Sequence, residues 1–273
     1  MCGTCGCGEA GVRVTELGTA APAHGHGHGH GHAPGHGHTP GDGHAPGAGR
    51  VVALEEDILG ANDALAAENR RVLTERGVLA VNLMSSPGSG KTTLLVRTLV
   101  DVGAELGMSV VEGDQETLLD AERISATGAR VVQVNTGAGC HLDATMLARA
   151  MATLAPPRDS VMVVENVGNL VCPALFDLGE AARVVVMSVT EGADQPLKYP
   201  HMFRTADLVL LNKVDLLPYV DFDVATWTAA VERVRPGVEV LSVSATRGDG
   251  LDTWYAWLRA GIASRRGGTA TSA

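Results

Sequence analysis

Three groups of sulfur and nitrogen side chains stand out by type and spacing. The chain opens MCGTCGCG, which sets Cys2, Cys5 and Cys7 in a C-x-x-C-x-C pattern with only Gly and Thr between them. Small spacers let a backbone wrap around an ion, and thiolates suit soft or borderline cations such as Zn²⁺, Ni²⁺ and Cu⁺. The second group is His24, His26, His28, His30, His32, His36, His38 and His44, alternating with Gly, Ala and Pro. Neutral imidazole is the commonest metal ligand, and a flexible His tract brings several rings to one ion. Its internal position and its interruptions, APG and TPGDG, argue against an expression tag; a solvated linker is the bland alternative. The third group is Cys140-His141 in NTGAGCHLD with Cys172 in VGNLVCP. Each alone reads as a core cysteine or a hydrogen-bonded histidine. Together they offer two thiolates and an imidazole, and tetrahedral Zn²⁺ or square-planar Ni²⁺ would need one or more further ligands, which a second subunit would supply.

A different chemistry is written in SSPGSGKTT, residues 85–93. The phosphate-binding P-loop pattern G-x-x-x-x-G-K-[ST] is complete except at its first position, where Ser85 replaces Gly. Ser85 would strain the turn if it had to adopt a positive φ. Pro87, Gly88, Ser89, Gly90, Lys91, Thr92 and Thr93 line the cradle at a helix N-terminus, all but Pro87 with a backbone N–H. Lys91 would reach the β- and γ-phosphates and the Thr92 hydroxyl would bind Mg²⁺. Asn212-Lys213-Val214-Asp215 supplies a base reader. The Asp215 carboxylate would accept from guanine N1–H and its amine, which adenine cannot match, while the Lys213 stem lies along the base. Ser244-Ala245-Thr246 falls where the guanine O6 would sit. Glu165 and Gly168 in VVENVGN suggest a Mg²⁺-linked carboxylate followed by a glycine N–H for the γ-phosphate. Asp114 in VVEGDQET is a second acid for the Mg²⁺ shell, with a helix N-cap as its alternative.

These residues need elements to hold them. VLAVNLM, 78–84, is a nearly continuous apolar run, as expected of a strand buried on both faces, and it leads straight into the P-loop. Further strands are predicted at 108–112, 130–134, 160–165, 183–189, 207–211 and 238–243. Helices follow the P-loop and fall near 115–126, 141–153, 198–205, 222–235 and 249–263. One or two amphipathic helices over 51–77 lead in. Strand–helix alternation predicts an α/β fold of the P-loop NTPase kind, a mostly parallel sheet with helices on both faces and ligands at the C-terminal strand ends.

Composition sets the outer bounds. The chain has 273 residues and a net charge of −10, which argues against nucleic acid, whose binding needs a basic face. No apolar run approaches the ~20 residues of a membrane span and no signal segment opens the chain, so a cytoplasmic address is expected, with reduced thiols serving as ligands. Residues 1–50 hold too little apolar surface to offset ordering entropy and are expected to form a disordered Cys/His-rich metal-binding tail. Residues 51–273 are expected to form one GTPase domain with a helical lead-in.

The motifs CGTCGCG, the His tract, NLMSSPGSGKTTLL, VVEGDQET, NTGAGCHLD, VVENVGNLVCP, EGADQPLKYP, LLNKVDLLPY and SVSATRGDG together resemble those of the hydrogenase nickel-incorporation GTPases, the HypB family. The resemblance spans nearly the whole chain. It departs at Gln195, where the family often has Lys; Lys198 stands nearby. The resemblance implies a SIMIBI-class P-loop fold, slow GTP hydrolysis, a GTP-favoured homodimer and a HypA-type nickel chaperone as partner. It further implies delivery of Ni²⁺ to the large-subunit precursor of nickel–iron hydrogenase, a nickel-storing tail, and Cys140, His141 and Cys172 as the switched site. A nickel GTPase of the urease type, a nickel-storage protein with a secondary GTPase, and an ATP-dependent enzyme on the same fold are the alternatives; Asp215 speaks against the last.

Overall fold

The computed structural model describes residues 13–17, 48–114, 117–137 and 139–269. Its elements in chain order are β1 (Arg13–Leu17), α1 (Ala48–Glu75), β2 (Leu79–Ser85), α2 (Lys91–Leu106), β3 (Ser109–Asp114), α3 (Leu119–Ser125), β4 (Arg130–Asn135), α4 (Ala144–Leu154), β5 (Val161–Glu165), β6 (Ala182–Ser188), α5 (Gln195–Lys198), α6 (Pro200–Arg204), β7 (Leu208–Asn212), α7 (Val224–Val234), β8 (Glu239–Ser242) and α8 (Leu251–Thr269). Eight strands form one sheet in the order β1-β4-β3-β5-β2-β6-β7-β8. All neighbours are parallel except the edge pair β1–β4. This is the P-loop α/β architecture expected from the alternating pattern.

Side-chain alternation along the strands builds separate cores. On one face Leu79, Val81 and Leu83 of β2 pack with Leu94, Leu95 and Leu99 of α2 and Trp254 and Leu258 of α8. On the other, Ala80 joins Leu73 of α1 and Leu147, Ala150 and Leu154 of α4. A third cluster sets Val185 and Met187 against Met202 and Phe203 of α6 and Trp227 of α7. Burial on both faces is the reason these strands read as unbroken apolar runs. No helix among the described residues is long and apolar enough to cross a membrane.

Two features differ from the sequence reading. The lead-in is one continuous helix starting at Ala48 rather than at 51. Arg13–Leu17, which lies inside the segment expected to carry no structure, forms strand β1 and pairs with Leu17 opposite Val131 and Arg13 opposite Asn135. Leu17 and Val14 pack against the cores on opposite sides of the sheet. The strand exists because β4 offers it an edge to pair with, a tertiary cause that a five-residue window does not reveal.

Glu112 and Glu165 stand directly opposite each other on β3 and β5. They share the face that carries α2, and each retains a buried carboxylate oxygen with no hydrogen-bond partner. Burial, then the neighbouring charges of Glu165 and Asp114, push the Glu112 carboxyl up from an ordinary 4.5 to about 8, against a hydrogen bond from Gln133. A carboxyl raised on folding stabilises while it holds its proton. Its contribution is therefore complete below about pH 4.5 and is lost as pH rises through about 8. Metal-free protein should lose stability over that interval, and Glu112→Gln should flatten the loss. Urea midpoints measured across pH check this; an unchanged slope in the variant would remove Glu112 as its source.

Candidate nucleotide site and metal-ligand cluster

The P-loop joins the end of β2 to the start of α2. Gly88 and Gly90 take φ of +77° and +90°, and a Cβ on Gly90 would come within 2.7 Å of the Asn212 amide nitrogen. Glycine is required there for both reasons. Ser85 is the last residue of β2 and is not among the described non-glycine residues of positive φ. The substitution therefore brings no strain of the expected kind, and the Ser85 hydroxyl donates to Ser86 O at 2.8 Å. Thr92 donates to Glu165 Oε1 at 2.6 Å, and Lys91 Nζ lies 3.3 Å from the same oxygen. Thr93 accepts from Arg123 at 3.2 Å. Pro87 backs onto Gly168, where a Cβ would meet Pro87 Cα at 3.2 Å.

The 212–215 and 244–246 segments, expected to read the base, are tied to this loop and to each other. Asn212 donates to Ser89 O at 3.0 Å and accepts from Ala245 N at 3.2 Å. Lys213 holds the left-handed φ of +60° and its Nζ donates to Gly88 O at 2.6 Å. Left-handed backbone costs a residue with a Cβ about 1–2 kcal/mol, tolerated where the surroundings enforce it. Ser244 donates to Asp215 Oδ1 at 2.6 Å and lies 3.3 Å from the Thr246 hydroxyl. A carboxylate oriented in this way, beside the P-loop, can read a donor pair on a planar base.

Asp114 ends β3, where its Oδ2 accepts from Thr117 N at 3.0 Å and Thr117 Oγ1 at 2.6 Å. It braces the turn ahead of α3, whose N-cap position is Leu118, so the N-cap alternative does not hold. Glu191 was not singled out from the sequence. It accepts from Ser86 Oγ at 2.5 Å and Ser188 N at 2.9 Å, and burial raises its pKa. Gln195 opens the four-residue α5 with its Oε1 buried and without a partner, and Lys198 pairs with Asp194 at 2.7 Å.

Cys140, His141 and Cys172 come together as the spacing suggested. Their ligand atoms all lie within 4.8 Å of one another. Cys140 Sγ is 2.8 Å from Cys172 Sγ and 3.7 Å from His141 Nδ1. Two sulfurs on one tetrahedral Zn²⁺ stand about 3.8 Å apart, from a Zn–S bond of ~2.3 Å, so a bound ion would spread the pair by about 1 Å. His141 is buried and stacks on Phe176 with ring centroids 3.9 Å apart. Its burial lowers the imidazole pKa against the opposing charge of Asp143, favouring the neutral ring that binds metal. Cys172 opens a short 3-10 turn, Cys172–Ala174.

Asn166, unremarked within its motif, joins the two sites. Its Oδ1 accepts from Leu142 N at 3.2 Å, one residue beyond His141, and its Nδ2 donates to Asn82 at 3.3 Å. Asn169 donates to Cys140 O at 3.4 Å. A Cβ on Gly113 would press into Leu142 at 2.9 Å, so β3 also abuts this segment. Sequence signals existed only for the motif; the direction of each amide depends on the fold. Cys2, Cys5, Cys7 and the eight histidines from His24 to His44 lie outside the described residues.

Residues 79–242 match the family described as CobW/HypB/UreG, nucleotide-binding domain. The hydrogenase maturation factor HypB of Rhizobium leguminosarum bv. viciae is 57% identical over 215 residues, spanning 79% of this chain and 72% of that protein. The corresponding factor of Escherichia coli (strain K12) is 46% identical over 294 aligned residues, spanning 94% of this chain and 98% of its own length. The crystal structure of HypB from Helicobacter pylori in complex with nickel superposes with a TM-score of 0.71 at 36% identity, over 75% of this chain and 96% of that one. With its P-loop, its 212–215 turn and its Cys-His-Cys cluster on one sheet edge, the chain belongs to the CobW/HypB/UreG nucleotide-binding family, among the hydrogenase maturation factors HypB.

Proposed function

We propose that this chain hydrolyses GTP to gate the delivery of Ni²⁺ to the large-subunit precursor of a nickel–iron hydrogenase. The observation behind the proposal is the short stretch from Glu165 to Cys172. It touches Thr92 at one end, Pro87 at Gly168, Leu142 through Asn166, and Cys140 at the other end. Phosphates would rest on the backbone N–H groups of 88–93 with Lys91 balancing their charge. Asp215, oriented by Ser244, selects guanine. Thr92, Asp114 and Glu165 would hold Mg²⁺; all three are oxygen donors, and Glu165 keeps a buried oxygen without a partner. Bound there, the ion neutralises charge developing on the transferred phosphoryl group.

Gly168 N–H would sense the γ-phosphate, and loss of that phosphate would relax the segment that ends at Cys172. The trio's donors suit Ni²⁺ and also Zn²⁺. A second protomer in a GTP-favoured homodimer would complete the coordination. The Cys and His residues of the first fifty positions would store nickel, with a HypA-type chaperone as partner and the cytoplasm as the setting.

Nickel affinity of the trio should differ between the GDP complex and a complex with a non-hydrolysable GTP analogue, by about 5- to 150-fold as couplings of this kind typically do. Matched titrations giving one affinity for both would refute the gating. Asp215→Asn should erode the preference for GTP over ATP by about 10- to 150-fold in competition binding, the worth of about 1.5–3 kcal/mol for a hydrogen bond to a charged group. Lys91→Ala should abolish hydrolysis and, with it, hydrogenase maturation. Maturation that survives this change would point instead to a storage protein.

A further inference from the structure

Helix α1 holds both ligand-bearing segments. Asn62 Oδ1 accepts from Ala144 N at 2.9 Å, and its Nδ2 donates to Asp177 O at 2.8 Å. Two helical turns on, Asn69 Nδ2 donates to Ala144 O at 2.9 Å and to Leu178 O at 3.0 Å. Ala144 follows His141 by three residues, and Asp177 follows Cys172 by five. Each amide therefore bridges one segment to the other, and both asparagines are buried, at 7% and 4% exposure. The 177–179 stretch is seated on α1 by two further features. Arg70 donates to both oxygens of Asp177 at 2.7 Å. Gly179, at φ +88°, lies so close that a Cβ would come within 2.3 Å of Ala66 O.

We infer that Asn62 and Asn69 are positioning residues for nickel, α1 setting the separation between Cys140-His141 and Cys172. The inference rests on the trio being the nickel site. Groups that orient metal ligands without touching the ion commonly matter about 10- to 100-fold in affinity. Here they also give the switch something to act against. The Cys140-His141 segment is gripped by Asn166 on the nucleotide side at Leu142 and by Asn62 and Asn69 at Ala144. A shift of Asn166 thus alters ligand geometry relative to a fixed anchor instead of carrying the whole segment along.

The test uses the full chain and nickel alone. The thiolate-to-nickel charge-transfer absorption that Cys172→Ser removes isolates the trio from the N-terminal cysteines. Asn62→Asp keeps the acceptor for Ala144 N and loses the donor to Asp177; Asn69→Leu loses both donors. Each should weaken nickel binding in that band by about 10- to 100-fold while GDP affinity stays unchanged. A merely structural role would lower stability and GDP affinity together without singling out the metal. Unchanged nickel affinity in both variants overturns the inference. Should a variant fail to fold, hydrogen exchange on the unmodified protein decides: nickel should slow exchange of the Ala144 amide, and an unaffected amide overturns the inference. Absence of any Cys172-dependent band in the parent protein would instead overturn the nickel reading of the trio, and this inference with it.

Discussion

Six residues separate the carboxylate that touches Thr92 from the thiol that touches Cys140, and that short tether constrains everything around it. Within it Asn166 is bonded to Leu142 and Asn82, Gly168 is pressed against Pro87, and Asn169 reaches Cys140 O. Little slack remains. Packed segments of this kind have discrete alternative arrangements, not a continuum, because close-packed interiors resist gradual deformation. A group bound at the P-loop that displaced Gly168 would be felt at the sulfur pair. The converse follows by linkage: spreading the sulfurs around an ion would bear back on the P-loop.

The two ends differ in donor chemistry, which keeps their proposed cations apart. Around Thr92 the donors are oxygens, with Glu165 and Glu112 abutting on neighbouring strands and Lys91 alongside Glu165. Two buried carboxylates side by side are costly unless one is protonated or a cation lies near, and the raised pKa of Glu112 records that cost. Hard ions such as Mg²⁺ relieve it. Around Cys140 the donors are sulfur and a neutral imidazole, which favour borderline ions such as Ni²⁺. One connecting segment can then link two ions that do not compete for each other's ligands.

The sheet was legible because its strands are buried on both faces and appear as apolar runs such as VMVVE and ARVVVMS, with turn residues marking their ends. The P-loop and the 212–215 turn were legible because they depend on backbone shape, which Gly90 and the neighbouring residues encode locally. β1 was not legible: RVTEL sits among Gly and Ala residues and becomes a strand only against β4. Glu112 carries no motif of its own, and its importance comes from the register that sets it against Glu165. Asn62 and Asn69 read as polar positions on an amphipathic helix. Only the docking of residues 144 and 177–179 onto α1 turns them into buried bridges.

The path of α1 also bears on why metal-binding residues would precede it. Asn62 meets the start of α4 at Ala144, while Arg76 reaches Pro156 O beyond its end, so α1 runs parallel to α4. α4 leaves the sheet edge that carries the P-loop, the trio and the 212–215 turn. The N-terminal half of α1 therefore lies toward that same edge, and it begins at Ala48, fourteen residues or about 21 Å of helix before Asn62. Helix α1 thus starts on the side of the proposed sites. Any ligands ahead of this helix would be joined covalently, through one stiff element, to the asparagines that bridge residue 144 to residues 177–178.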